Sequence, residues 1–436
     1  MTLQDAIQYA VTTNPEIGQA GANREAIGFE LRQARGLYLP QVDLEASIGP
    51  GWRDGPGDSE YDEDWMLRRE VSIIGRQMLF DGYAADSEVE RQASRADAAA
   101  YRVLERAEFV GLDIVQAYLD MLRQQDLLEL ARDNLAVQRG ILGDVRQRVD
   151  AGRSSVADSQ QANERVRSAQ ATLVDIERGL EDARLAFERL VGLPPFELSP
   201  PQPVAASVPA DRAMAVTVAL DDNPTLLAAE ADIDTAYAEY RAAKANNYPT
   251  INLEGRARTG DDLDGVDGRE TDVSALVVLR YNLYRGGIDQ ANIQEQIRRI
   301  DEARRRVLQV EREIEEQVGR SYVALDAASR RTEVLAEQIA FGEQVRTSYR
   351  QQFDIGQRTL LDVLDAENSL FNTRVAMVTA EYAERFAAYR VLASLGRLLP
   401  TLGVAPPETA VAEARAGADV PPTPVSEELP RRSLTR

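Results

Sequence analysis

Two long stretches of the chain place apolar residues at seven-residue intervals. The first runs from residue 82 to 150 without a proline, and its apolar positions are Ile114, Met121, Leu128, Leu135, Leu142 and Val149. The second runs from residue 286 to 354 and carries Ile314, Val318, Leu325, Leu335 and Ile339 in the same register. Heptads of this kind predict coiled-coil helices, each roughly 100 Å long at 1.5 Å per residue. Turns at Gly152 and Gly356 then send the chain back as shorter helices ending near Gly192 and Gly396.

Upstream of each long helix the pattern changes to strict alternation. Pro40 and Pro249 prevent the preceding helix from continuing, because a residue before proline is pushed into extended geometry. Apolar residues then alternate with polar ones at Val42, Leu44, Ala46 and Ile48, and again at Ile251, Leu253, Gly255 and Ala257. The sequence therefore predicts four strands with one apolar and one polar face, at about residues 40–50, 66–80, 250–259 and 271–284. Acidic, glycine-containing loops join each pair.

The same landmarks occur twice along the chain. Asn14-Pro15 and Pro40 recur 209 residues later as Asn223-Pro224 and Pro249. The glycines at 82, 152 and 192 recur 204 residues later. We therefore divide the chain into a first repeat at 1–192, a proline-rich linker at 193–212 and a second repeat at 213–400. Residues 401–436 are rich in proline and lack apolar periodicity, so we expect a disordered tail.

Composition and charge exclude several classes of function. The formal net charge is −22, which argues against nucleic-acid binding. With no cysteine and no histidine, the chain lacks disulfides, thiolate nucleophiles and the commonest general base. No apolar run approaches the ~20 residues of a membrane-spanning helix. There is no signal peptide, which alone would suggest a cytoplasmic protein; we favour a chain that starts at a mature N-terminus.

Heptads alone are equally typical of a soluble coiled-coil scaffold, and a hydrolase built from carboxylates alone is a more distant alternative. The strands favour another interpretation. No helix is free to cover their apolar face, and four strands are too few to close a barrel. Alternating segments of this length are typical of membrane barrels. Three chains would supply twelve strands around a polar lumen.

The segment Gly356-Gln-Arg-Thr-Leu-Leu-Asp-Val-Leu-Asp-Ala-Glu-Asn368 resembles the signature of the TolC outer-membrane channel family at its inner helical turn. The Asn-Pro pairs, the Pro40 and Pro249 junctions and the Gly82 and Gly286 motifs extend this resemblance over about residues 2–400. The resemblance implies an α+β membrane protein and a homotrimer. Its 12-stranded barrel would lie in the outer membrane and continue as an α-helical tunnel across the periplasm. It also implies a periplasmic membrane-fusion adaptor and an inner-membrane ABC or proton-driven transporter as partners.

The same resemblance implies a gate at the tunnel tip. Arg358 would be the donor and Asp158 its first-repeat partner, while Asp362 and Asp365 would form acidic rings. Phe353 stands where the family has a tyrosine, so one hydroxyl contact would be missing. The alternative for each carboxylate is a solvated position at a helix turn.

Taken together, these features predict a passive export duct in the outer membrane that binds no cofactor and performs no chemistry. The form of the signature favours type I protein secretion, with multidrug efflux as the alternative. The sequence does not identify the exported substrate.

Overall fold

The computed structural model describes residues 1–52, 65–263 and 268–421. Its α-helices are α1 Leu3–Thr13, α2 Pro15–Gly36, α3 Ala84–Asp150, α4 Val156–Val191, α5 Arg212–Asp222, α6 Pro224–Ala245, α7 Ile288–Asp354, α8 Leu360–Ser394 and α9 Leu398–Thr401. Its strands are β1 Gln41–Gly51, β2 Met66–Phe80, β3 Thr250–Asp261 and β4 Arg269–Arg280. The helix–strand–helix order thus occurs twice, as the repeat predicts.

The heptad seams become the buried sides of two unbroken helices. Both α3 and α7 are 67 residues long. In α3 the positions from Ile114 to Leu142 are buried. In α7 Ile314 and Val318 are buried, while the later seam residues Leu335 and Ile339 are half-buried. The apolar seam of α3 is therefore satisfied within the chain, whereas the lower seam of α7 is only partly covered.

The four strands form one antiparallel sheet in the order β1-β2-β3-β4. The register confirms the alternation, because directly paired residues share a face. Leu44 and Val273 on the apolar face are 71% and 76% exposed, whereas Glu70 and Ser72 on the polar face are 8% and 2% exposed. The sheet is thus apolar outside and polar inside, the reverse of a sheet in a water-soluble domain. Parts of both predicted hairpin loops, residues 53–64 and 264–267, lie outside the described residues.

The chain forms two compact units. The first comprises Met1–Ala22, Ala100–Leu227 and Leu308–Val411; the second comprises Asn23–Ala99, Ala228–Val307 and Ala412–Arg436. The first unit has a core of Leu, Ile, Val and aromatic side chains centred on Ile7, Ile114, Tyr118 and Phe187. The second contains the sheet and a smaller core around Tyr237, Ile297 and Ile300.

The proline-rich linker is fixed by tyrosine hydroxyls within the first unit. Tyr118 donates to the carbonyl of Ser199 at 2.6 Å, and Tyr389 donates to that of Gln202 at 3.0 Å. A third hydroxyl, of Tyr322, donates to Pro209 at 2.6 Å. Because proline-rich backbone lacks some of its own N–H donors, these phenols satisfy carbonyls that no regular structure would use.

The tail differs from its predicted disorder. Val404 is buried, and the side-chain amide of Gln4 in α1 donates to the carbonyl of Gly403 at 3.0 Å. Just before the tail, the carboxylate of Glu108 in α3 accepts hydrogen bonds from the backbone N–H groups of Leu398 and Leu399 at 3.0 and 3.1 Å. Burial raises the pKa of Glu108 to about 7. The expectation of disorder over 401–436 is therefore wrong for residues 401–421. Residues 422–436 lie outside the described residues.

In the second unit the tail is held by a partly buried cation between two buried carboxylates. Arg415 contacts Asp97 at 3.1 Å and also pairs with Asp234; these carboxylates are 3% and 10% exposed. The backbone N–H of Ala414 donates to Asp97 at 2.7 Å. Sequence reasoning missed this because three charges from three distant segments leave no periodic signal.

Within the described ranges, no helix is both long and apolar enough to cross a membrane.

The facing of the strands can be tested with single cysteines, since the chain has none of its own. Leu44→Cys and Leu253→Cys should be shielded from a water-soluble thiol reagent in detergent, because detergent covers the apolar face. Asp43→Cys and Asn252→Cys, one residue earlier, should react rapidly. Equal labelling of both pairs would contradict the assignment of the faces.

The tail contact predicts a loss of stability on Arg415→Ala. Removing the guanidinium takes a shared cation away from two buried carboxylates, Asp97 and Asp234, so we expect the free energy of unfolding to fall by about 3 kcal/mol. The matched control is Arg320→Ala, which removes an exposed pair with Glu316 in α7 and should cost about 0–1 kcal/mol. Denaturant titration in detergent measures both. Equal losses would mean that the tail contact is no stronger than a surface ion pair.

Candidate functional site

The chain changes from helix to strand at Pro40 and Pro249. Helix α2 ends at Gly36 and β1 begins at Gln41, while α6 ends at Ala245 and β3 begins at Thr250. Single turns precede each proline, closed by bonds such as Leu39 N–H to the Gly36 carbonyl at 3.0 Å. Both prolines therefore lie at the junctions where the sequence predicts them.

The return from strand to helix depends on Gly82. Its φ of +74° is in the left-handed region, and a Cβ there would come within 2.7 Å of the Ala245 carbonyl oxygen and of Tyr248 Cβ. Asp81 then accepts hydrogen bonds from the N–H groups of Ala84 and Ala85 at 3.0 and 2.7 Å, which starts α3. The equivalent turn before α7 uses Gly286 and Gly287, also at positive φ.

The polar face of the sheet carries charges of both signs. Glu70 contacts Arg68 at 2.6 Å and Arg256 at 2.8 Å, and Arg280 contacts Glu254 at 3.0 Å. Longer pairs of 3.9–4.0 Å join Arg258 to Asp272 and Arg76 to Asp43. A surface of paired opposite charges is wettable and favours neither cations nor anions strongly.

The two helical turns at the ends of α3 and α7 have the same construction. Gly152 and Gly356 have φ of +72° and +77°, and a Cβ at either would meet nothing within 4 Å, so the backbone angle alone requires glycine. The N–H of Arg153 reaches back to the Arg148 carbonyl at 2.7 Å, which closes a Schellman turn. Gly152 and Gly356 thus lie just past the ends of α3 and α7, where the left-handed backbone reverses the chain.

Asp158 and Asp362 occupy capping boxes. Asp158 accepts the N–H of Ser155 at 2.9 Å, and Asp362 accepts the N–H and hydroxyl of Thr359 at 3.2 and 2.7 Å. The Thr359 hydroxyl and N–H are the main cause of a lowered pKa at Asp362, and Arg358 contributes less. These carboxylates therefore start α4 and α8, a structural role that the sequence analysis did not assign to them.

Arg358 contacts residues of its own helical hairpin, which is formed by α7 and α8. Its Nε donates to Gln352 at 3.0 Å, a terminal nitrogen lies 3.6 Å from Asp362, and its guanidinium stacks 3.9 Å from the ring centroid of Tyr349. Within one chain, the described contacts of Arg358 and Asp158 do not join these two residues. A pair between Arg358 of one copy and Asp158 of another stays a prediction.

Contacts between the α3–α4 helical hairpin and the α7–α8 helical hairpin come from arginines that the sequence analysis missed. Arg165 in α4 pairs with Asp365 in α8 at 3.0 Å. Arg148 in α3 lies 4.5 Å over the ring of Phe353 and also pairs with Asp354. A third pair joins Arg350 to Asp144 at 3.3 Å.

These arginines could have been found by comparing the repeats. Arg148 has Gln352 at its equivalent position and Arg165 has Ser369, so both break the internal symmetry. Below them, Leu135, Leu142, Val145, Val166, Leu360 and Leu364 form a separate apolar cluster. Near the α3–α4 and α7–α8 turns, called the tip below, the helices thus have a packed apolar cluster and, beside it, a layer of partly exposed ion pairs.

Comparison with known proteins agrees with this architecture. The family model described as "Outer membrane efflux protein" matches residues 6–193 and 215–397. That match covers both repeats and most of the chain. The chain belongs to the outer membrane efflux protein family.

Two relatives and one solved structure illustrate the range of this family. The outer membrane efflux protein BepC of Brucella suis is 25% identical over 91% of this chain and 86% of its own length. The alkaline protease secretion protein AprF of Pseudomonas aeruginosa is 24% identical over 87% of this chain and 81% of its own. The crystal structure of CusC, described in terms of transmembrane channel formation, has a TM-score of 0.78 at 18% identity. It covers 90% of this chain and 91% of the CusC chain.

Membership of the outer membrane efflux protein family places the chain in the outer membrane as a duct for export or efflux. Family members are passive channels rather than enzymes.

The inter-hairpin pairs predict a change in channel opening. Each ion pair between the helical hairpins is partly exposed and contributes about 0–1 kcal/mol. Removing two pairs per chain should therefore change the free-energy difference between the closed and open states by a few kcal/mol, summed over several copies. We expect Arg148→Ser with Arg165→Ser to raise the open probability about tenfold or more in single-channel recordings from a planar bilayer. Arg184→Ser is the control, because its partners Glu181 and Glu188 lie in its own helix. An unchanged double variant would exclude these pairs as a latch.

Proposed function

We propose that three copies of this chain form one outer-membrane export channel with a 12-stranded barrel and an α-helical periplasmic tunnel. The observation that carries this proposal is the sheet, whose apolar face is exposed. Within the described residues, β1 and β4 each pair with a neighbouring strand along one edge only. A four-stranded sheet cannot close on itself, and open edges invite pairing with another chain.

The strand order supports closure by identical copies. Neighbouring strands are antiparallel throughout, so β4 runs opposite to β1. Placing β1 of a second copy beside β4 of the first continues the antiparallel pattern without a break. Three copies give an even strand number, as membrane barrels of this type have.

At the tip we propose a gate formed by Asp158, Phe353, Arg358, Asp362 and Asp365. Three copies would bring six carboxylates from Asp362 and Asp365 towards one axis, which attracts cations. The local contacts refine this proposal. Asp362 also caps α8, so its replacement would disturb the turn, and Asp365→Asn would remove the ion pair with Arg165 together with the charge.

For the cargo we propose type I protein secretion through a periplasmic membrane-fusion adaptor and an inner-membrane ABC transporter. The Leu-Leu-Asp-Val-Leu-Asp-Ala-Glu-Asn form of the signature supports secretion. A second candidate is multidrug efflux with a proton-driven transporter, supported by the efflux name of BepC at nearly the same identity as AprF. A duct without catalytic groups would be able to serve both.

The assembly is tested by measuring the mass of the purified protein in detergent. We expect a stable complex of three times the mass of one chain, with β structure, because the barrel needs twelve strands. Single-channel conductance in a planar bilayer should accompany it. A water-soluble dimer without conductance would instead indicate a coiled-coil scaffold.

The cargo is tested in a Gram-negative host whose own outer-membrane duct has been deleted. The chain is expressed once with an ABC transporter, its adaptor and their protein substrate, and once with a proton-driven efflux pump and its adaptor. Appearance of the protein substrate in the medium supports secretion. Restored drug resistance without secretion would replace that proposal by efflux.

A further inference from the structure

Charged residues on the apolar face of the sheet are confined to one row. The register pairs Arg69 of β2 with Asp261 of β3, and Asp261 with Arg269 of β4. Among the strand residues that the structure describes, these three are the charged ones on this face; they are called the charged row below. The other members of the face are apolar, Gly, Thr or Gln. Such segregation is unexpected for an ordinary solvated surface, where charges scatter.

The charged row lies near the hairpin loops. Asp261 and Arg269 form the last pair of β3 and β4, and Trp52 and Trp65 stand just beyond the last pair of β1 and β2. Both tryptophans are exposed, and they are the chain's complete set. Tryptophan is typical of the membrane–water interface, where charges on the lipid face also cost least. The row therefore marks a headgroup level rather than the hydrocarbon interior.

The two arginines are available to a ligand. Arg69 is exposed, and the side chain of Arg269 is 76% exposed although its Nε contacts Asp261 at 3.3 Å. Two strand spacings separate Arg69 from Arg269, which is about 10 Å. An open groove of about 550 Å³ is lined by both arginines and by apolar neighbours that include Ile48 and Val71. The groove thus combines cations with an apolar wall.

We propose that the charged row binds the phosphate headgroup of a lipid in the leaflet nearest the hairpin loops. This inference rests on the proposed barrel, which puts the apolar face in the membrane. Guanidinium groups bind phosphate oxygens through two parallel hydrogen bonds. The row has two arginines and one aspartate, so it is cationic on a chain whose net charge is −22.

The occupant is a lipid rather than free phosphate for two reasons. The acidic chain repels small anions, and one of the two arginines is partly neutralised by Asp261. Acyl chains packed on Ile48, Val71 and the apolar rows behind them supply the additional attraction that a free anion lacks.

Native mass spectrometry of the full-length protein in detergent tests the site. The probes are hexa-acyl diphosphoryl lipid A, the same lipid without its phosphates, and inorganic phosphate. We expect the parent to bind the diphosphoryl lipid about tenfold more tightly than the dephosphorylated one, as one charge-assisted contact would give. Arg69→Gln with Arg269→Gln should remove this preference, and inorganic phosphate should neither bind nor compete.

The control variant is Arg68→Gln. Arg68 is adjacent in sequence but lies on the polar face, where Glu70 keeps Arg256 as a partner. It should retain the preference. Loss of the preference in this control, no preference in the parent, or displacement by inorganic phosphate would each overturn the inference. Arg269→Gln alone, at a highly exposed position, replaces the double variant if that one does not assemble.

The outcome is separable from that of the proposed function. A parent that is trimeric and conducts ions but shows no lipid preference would overturn the charged row as a lipid site and leave the channel intact. A parent that neither assembles nor conducts would remove the barrel on which both proposals rest.

Discussion

The rest of this structure depends on one constraint: a four-stranded sheet with an apolar outer face and two open edges cannot be satisfied in water by one chain. The polar face is internally satisfied by pairs such as Arg280 with Glu254, so the missing stabilisation lies on the other face and at the edges. Lipid covers the apolar face and, as proposed here, further copies of the chain pair with the two edges. The family's place in the outer membrane is consistent with both requirements.

The junctions between helix and strand follow from this constraint, because each repeat must change periodicity twice within a few residues. Pro40 and Pro249 end helical geometry, while Asp81 and Gly82 restart it through capping and a left-handed turn. Gly82 also allows close approach to the Ala245 carbonyl, so the turn is fixed by packing as well as by backbone angle.

At the far ends of α3 and α7, the same residues serve turn formation and the proposed gate. Asp158 and Asp362 cap the helices that follow them, and Arg358 binds its own hairpin. The ion pairs between the two helical hairpins are made by Arg148, Arg165 and Arg350, which are partly exposed. A weak layer of ion pairs over a packed apolar cluster is suited to opening without unfolding, since the cluster around Leu142 and Leu364 is held by apolar contacts rather than by charge.

The sequence by itself determined the two repeats, the long helices, the strands and their faces, and the turn glycines. These features depend on periodicity, proline and glycine, which act within a few residues. The tertiary structure decided which charges meet. Arg165 with Asp365, Arg415 with Asp97 and Asp234, and the row of Arg69, Asp261 and Arg269 each combine residues far apart in the chain. The ordered tail to residue 421 was missed for the same reason, because the contact of Arg415 with two buried carboxylates is not an apolar pattern. Long-range charge pairing leaves no period in a single sequence. Comparing the repeats singles out Arg165 as a departure from the internal symmetry, but only the fold shows that its partner is Asp365.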